Sequence, residues 1–272
     1  MIENAMATNK QNRVLVTGGG SYLGLHIAAA LLAEGADVSL IIRAGNEERL
    51  GLLANRVHWM VADVWDSAAL KGRARGHQTV IHTVGSMVAD AAQGLTYDRL
   101  NLVSARNVAN MCVSDGVSQY ILLSTVRAPW VTGKYVKAKH AAEDYVRRIG
   151  LTTSIVRAPI TYTRGSDRPF FYRMMTALGS IPPLSWMHIG RMAPMPLDVL
   201  ARGIARTALN PPERTRILYS GDMRRLNTRD EMRGSAPEMK TFDAAQDTIT
   251  PFENLDDATP FGWIPTQPRN DE

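Results

Sequence analysis

The feature that most narrows the fold is a short apolar strand that runs into a cluster of glycines and out into a helix. Arg13-Val14-Leu15-Val16 is rich in β-branched residues and leads into Thr17-Gly18-Gly19-Gly20-Ser21-Tyr22-Leu23-Gly24. Tyr22 to Glu34 follows, with Leu23, Ile27, Leu31 and Leu32 on one face and Gly35 at its close, the spacing of a helix laid on a core. The alternation then repeats. Strand signals stand at Val38–Ile42, Val57–Val61, Thr79–His82, Gln119–Leu123 and Thr153–Val156. Between them, helices are predicted at Leu95–Ser114, broken at Asp115-Gly116, and at Tyr135–Ile149, ended by Gly150. Strands interleaved with helices in this way predict a parallel sheet wrapped by helices, because right-handed crossovers permit little else.

We therefore read residues 13–160 as one doubly wound parallel-sheet α/β domain of the Rossmann type. The pattern loosens over 161–226, a small substrate-binding region completing that domain, with a helix at Leu197–Leu209 and a strand at Arg216–Tyr219. Residues 227–272 read as an extended tail holding ten acids against four bases, on a body of sixteen acids and twenty-seven bases. Phe242, Phe252, Phe261 and Trp263 dot this tail. It reads either as a floppy extension or as a strap that docks onto its own body, a protein partner or a second copy, helped by opposite charge. The basic residues of the body are scattered singly without interleaved aromatics, so nucleic acid is not an expected partner.

Composition excludes further classes. A single cysteine, Cys112, leaves no intramolecular disulfide and no metal site built on several cysteines, and fits a reducing compartment. Met1 to Arg13 is polar with no apolar h-region, and the greasiest stretch, Phe170 to Leu197, is interrupted by Arg173, His188 and Arg191. The expectation is a cytoplasmic protein with no transmembrane segment. The histidines show no metal-ligand spacing, and no Gly-x-Ser-x-Gly elbow supports hydrolase chemistry.

Glycines between a strand and a helix suit a pyrophosphate. Missing side chains let the backbone approach phosphate, and the helix N-terminus offers free N–H groups and a positive dipole end. Gly18, Gly20, Ser21, Tyr22, Leu23 and Gly24 are the candidate cradle. The second strand ends in Arg43 rather than an acid, which favours the extra phosphate of NADP(H) over the free ribose hydroxyls of NAD(H). Asp63, followed by Val64, closes the third strand, either meeting the adenine side or capping the next helix. Tyr135 and Lys139 are four apart on one helix face, and the strand before them ends in Ser124-Thr125. A neighbouring ammonium favours phenolate, so Lys139 is expected to lower the Tyr135 pKa and make a usable proton donor and acceptor.

These residues resemble the short-chain dehydrogenase/reductase superfamily, in its extended or atypical, epimerase/dehydratase-like branch. Thr17, Gly18 and Gly24 match its Thr-Gly-x-x-Gly-x-x-Gly turn, with Ser21 where the middle glycine is expected. Tyr135 and Lys139 match its Tyr-x-x-x-Lys signature, and Thr125, with Ser124 beside it, matches its hydroxyl partner, with only nine residues between Thr125 and Tyr135. Asn101 matches a helix asparagine used structurally and in proton relay. The fourth-strand segment Val80-Ile81-His82-Thr83-Val84-Gly85 and the segment Arg157-Ala158-Pro159-Ile160 resemble stretches lining the cofactor.

The resemblance implies an NADP(H)-dependent oxidoreductase acting on a small or medium apolar carbonyl or alcohol. Tyr135 would transfer the proton, Thr125 or Ser124 orient the oxygen, and Lys139 hold the nicotinamide ribose. Phe170, Phe171, Met174, Met175 and Trp186 would form either a substrate wall or the core of the small region. Epimerase or dehydratase chemistry is less favoured, the small region leaving limited room for a nucleotide-sugar. The alternative of a different class is a non-catalytic NAD(P)H-binding assembly or redox-sensing protein, similar to accessory subunits of respiratory complexes.

Overall fold

A computed structural model describes residues 12–92, 94–128, 131–164 and 194–234. Seven strands form one parallel sheet: β1 (Arg13–Thr17), β2 (Asp37–Ile42), β3 (His58–Val61), β4 (Thr79–His82), β5 (Gln119–Thr125), β6 (Thr153–Ala158) and β9 (Arg216–Leu218). Their spatial order is β3-β2-β1-β4-β5-β6-β9. The main helices are α1 (Tyr22–Ala33), α3 (Ser104–Asp115), α4 (Gly133–Arg148) and α5 (Leu197–Leu209). A short α2 (Ser67–Leu70) follows β3, and β7 (Thr161–Tyr162) pairs with β8 (Met195–Pro196) in a separate two-stranded sheet.

Strand alternation sorts the core into two layers, as the near-continuous apolar strands demand of a sheet covered on both faces. Val14, Val16, Leu40, Ile42, Ile121 and Leu123 face α1 and α5. Leu15, Ile41, Val80, Leu122 and Ile155 face α3 and α4. β1 pairs with both β2 and β4, so the order of the strands reverses there and a crevice opens beyond their carboxyl ends. The candidate cradle and β4 both end at this crevice.

The predicted helix over 95–114 is not one continuous α-helix. Asp98–Val103 takes a π-helical turn before α3 begins. The extra residue per turn rotates Asn101 inward, where it is fully buried.

The small region contributes directly to the body. α5 packs on α1, and β9 continues the sheet beside β6. α6 (Ser220–Arg225) closes the small region, and α7 (Arg229–Arg233) opens the acidic stretch. Arg206 of α5 grips the Glu231 carboxylate at 2.7 and 2.9 Å and Glu34 of α1 at 2.7 Å. That guanidinium holds the Glu231 carboxyl down at about 2. The start of the acidic stretch is thus docked on the basic body. The aromatics at 242, 252, 261 and 263, and the wall residues at 170–186, lie outside the described residues.

Candidate active site

The glycine turn is shaped by close backbone approach. Gly18 has φ +77°, and a Cβ there would lie 2.5 Å from Thr83 Oγ1. A Cβ on Gly24 would lie 2.3 Å from the Gly18 carbonyl oxygen, so the first turn of α1 lies directly on the turn. On Gly20 it would meet Asn46 Cβ at 3.1 Å. Ser21, which brings a side chain to a position where only backbone was expected, turns that side chain inward. Its hydroxyl donates to the Gly18 carbonyl at 2.7 Å and accepts from the Gly24 amide at 3.1 Å, capping α1. The Ser21 side chain is thus folded back onto its own helix, and first-turn amides lack partners inside a helix. These residues fit a pyrophosphate. Ser21→Ala is expected to cost about 1 kcal/mol of stability through the lost cap, measured by denaturant unfolding, with dinucleotide affinity unchanged.

Around this cradle the other expected contacts sort by environment. Tyr22 is exposed, its hydroxyl 2.9 Å from Thr163 Oγ1, and Leu23 is buried. Arg43 begins the turn after β2, its carbonyl accepting from the Asn46 amide at 3.1 Å, with its side chain half-buried. Asp63 accepts from the Trp65 amide at 2.8 Å in a local turn, while the cap of α2 is Asp66. Val64 is a core residue whose carbonyl takes the Asn107 side chain at 3.2 Å. Thr83 donates to the Thr17 carbonyl at 2.7 Å, and Val84 is buried beside it. Pro159 is buried, and the Ile160 carbonyl accepts from the Met195 amide at 3.2 Å.

The tyrosine–lysine pair lies on α4 against the end of β5. Lys139 is 4% exposed and donates to the Leu123 carbonyl at 3.1 Å. Tyr135, one turn earlier, is 5% exposed, with the Thr125 side chain close enough to favour its ionised form. The nine-residue spacing therefore does bring Thr125 and Tyr135 together. Gly85 closes the group. A Cβ there would lie 2.5 Å from Lys139 Nζ and 2.6 Å from Asn101 Oδ1. Asn101 is committed to backbone, donating to the Ser86 and Tyr97 carbonyls at 3.0 Å and accepting from the Ser86 amide at 3.1 Å.

Ser124, the other hydroxyl expected to orient the substrate oxygen, points elsewhere and donates to Glu143 at 2.5 Å. The charge balance of the pair also differs from the expectation. Burial raises the Tyr135 phenol well above its ordinary value, and the neighbouring Thr125 side chain only partly offsets this. The neighbouring lysine, expected to lower it, is itself held down at about 8 by burial, with Glu143 pulling upward. In a dry site both groups lose by charging, so desolvation outweighs their mutual attraction.

Sequence reasoning missed Glu143, Arg157 as its partner, and Tyr97, whose ring sits edge-on to Tyr135 at 6.3 Å between centroids. Continuing the four-residue step from Tyr135 and Lys139 would have reached Glu143. Tyr97 carried no local signal, since the π-turn that places it is invisible in the pattern.

Comparison with known proteins bears on the same region. A family model described as NAD(P)H-binding matches residues 18–174. The ceramide reductase of Caulobacter vibrioides is 28% identical over 181 residues, 66% of this chain and 56% of the relative. The decarboxylating sterol-4-alpha-carboxylate 3-dehydrogenase of Bos taurus is 30% identical over 135 residues, 50% of this chain and 35% of the relative. The chain thus spans little more than half the length of the first and about a third of the second. The crystal structure of Thermus thermophilus UDP-glucose 4-epimerase with NAD superposes with a TM-score of 0.55 at 20% identity, covering 79% of this chain and 80% of that one, a likeness of fold. Among the described residues no helix is long and apolar enough to cross a membrane. With the cradle, the switch-point crevice and most of the matched span on one sheet, the chain belongs to the NAD(P)H-binding Rossmann family of the short-chain dehydrogenase/reductase and epimerase/dehydratase superfamily.

Proposed function

We propose that the protein is an NADP(H)-dependent reductase or dehydrogenase that uses Tyr135, Lys139 and Thr125 to move a proton on an apolar carbonyl or alcohol. The Thr125 side chain acting on the buried Tyr135 phenol, with Lys139 buried one turn away beside Gly85, carries this reading. When bound, the reduced nicotinamide supplies hydride to the carbonyl carbon. The Tyr135 hydroxyl donates its proton to the carbonyl oxygen as negative charge grows there, and Thr125 holds that oxygen by hydrogen bonding. Lys139 holds the nicotinamide ribose and offsets the charge left on Tyr135. A phenol kept neutral by burial is a proton donor rather than a base at neutral pH, which favours the reductive direction. Asn101 acts by fixing Ser86, and through it the floor beneath Lys139. The ceramide and sterol carboxylate in the relatives' names support an apolar substrate.

Arg43 meets the additional phosphate of NADP(H). A charge-assisted hydrogen bond is worth roughly 1.5–3 kcal/mol. Fluorescence titration is therefore expected to show Arg43→Ala weakening NADPH by roughly ten- to a hundredfold, with NADH affinity unchanged. Equal losses for both dinucleotides would remove the NADP(H) preference. Oxidation of NADPH with a panel of apolar ketones tests the reaction. Tight binding with no turnover on any of them would shift the reading to a non-catalytic dinucleotide-binding protein.

A further inference from the structure

One turn beyond Lys139, Glu143 is a carboxylate with 1% of its surface exposed that the proton transfer above does not use. It is held on several sides. Arg157 of β6 grips it bidentately at 2.6 and 3.0 Å, Ser124 of β5 donates at 2.5 Å, and Arg147 of α4 lies at 3.7 Å. Arg157 is itself held by the Tyr219 hydroxyl at 3.1 Å, at the end of β9. Three consecutive residues of β5 thus meet three successive turns of α4. Leu123 takes Lys139, Ser124 meets Glu143, and Thr125 meets Tyr135.

We propose that Glu143 is a positioning residue whose carboxylate, clamped by Ser124 and Arg157, keeps Lys139 in its charged form and in register with Tyr135. Few groups near Lys139 can do this. Glu143 and Tyr135 face it on its own helix, and the phenol is neutral. From β4 comes His82, whose imidazole burial and the ammonium itself keep uncharged. Asn101 is neutral. Among the described residues Glu143 is therefore the nearby anion, and in a buried site an opposite charge one helical turn away acts with little screening. The ammonium already titrates at about 8. Without its anion it would lose its proton within the physiological range and with it the grip on a ribose and on the phenol. The Arg157 ion pair moderates the effect, because a paired carboxylate attracts Lys139 less than a bare one.

The proposal rests on the Tyr135–Lys139 reading for its catalytic consequence but has a test of its own. Lysine ε-carbon NMR titration of the full chain without cofactor, with the Lys139 signal assigned by its loss in Lys139→Arg, reads the ammonium directly. Glu143→Gln keeps the shape of the side chain and one accepting oxygen for Ser124 and Arg157 while removing the charge, and is expected to lower the Lys139 titration midpoint by about one pH unit. Arg157→Gln frees the carboxylate and is expected to raise it. A merely structural clamp would let water in on either change, and both variants would move Lys139 upward toward its ordinary value. That common upward shift, or a Glu143→Gln protein titrating as the wild type does, would overturn the proposal. In turnover, the alkaline limb of the pH profile should move in the same opposite directions. If NMR gives the opposed shifts but no dinucleotide binds, the reductase reading fails and the Glu143 proposal stands.

Discussion

Tyr135→Phe should lower turnover of a carbonyl substrate with NADPH by about 10²–10⁴-fold, the usual worth of a positioned proton donor, while leaving NADPH affinity within a factor of about two. The substitution removes one oxygen from a side chain that is 5% exposed and leaves the ring and its edge contact with Tyr97 in place. The Thr125 side chain that acts on the lost hydroxyl keeps its own bond to the Val126 carbonyl at 3.2 Å. The fold therefore loses little. A phenol held neutral by burial also gains nothing from ionisation in the resting site, so its removal should not weaken Lys139's bond to Leu123. Stopped-flow oxidation of NADPH separates the outcomes. A loss in the hydride-transfer phase with unchanged binding fits proton donation in the transition state. An equal loss of affinity and rate would mean that Tyr135 shapes the dinucleotide pocket, and an unchanged rate would leave the site without its acid.

The sheet was legible because its central strands are buried on both faces and read as apolar runs. β1, β2, β4 and β5 fall within a residue or two of their expected positions for this reason. The glycine turn was legible because only glycine tolerates the approach of α1 to the turn at Gly24. What escaped the sequence depended on contacts between distant segments. Ser21 looked like an obstruction until its hydroxyl was seen capping its own helix. Ser124 and Thr125 are indistinguishable as hydroxyls at a strand end. Strand alternation and the position of Glu143 decide that one faces the clamp and the other the phenol. The pKa expectation failed because it counted a neighbouring charge without counting burial. Desolvation depends on everything packed around the pair, which no four-residue spacing reports.

Gly24→Ala tests the cradle most severely. The added methyl carbon would sit 2.3 Å from the Gly18 carbonyl oxygen and 3.0 Å from both Gly18 C and Gly19 Cα, all of them backbone. No rotamer change relieves this. Either α1 lifts off the turn, breaking the Ser21 cap and its packing on α5, or the turn itself deforms. The cost of such overpacking is about 1–3 kcal/mol, and dinucleotide affinity should fall by at least tenfold because the first-turn amides no longer converge on the phosphate site. Gly221 in α6 is the matching control, since a Cβ there meets nothing within 4 Å. Alanine at that helical position should stabilise by about 0.5–1 kcal/mol and leave binding untouched. Denaturant unfolding and NADPH titration on the two variants therefore move in opposite senses for stability and differ in kind for binding. If Gly24→Ala were destabilised yet bound NADPH as the wild type does, the phosphates would have to lie elsewhere than on this turn. A Gly24→Ala protein as stable as the wild type would mean that α1 does not press on Gly18 as closely as the fold places it.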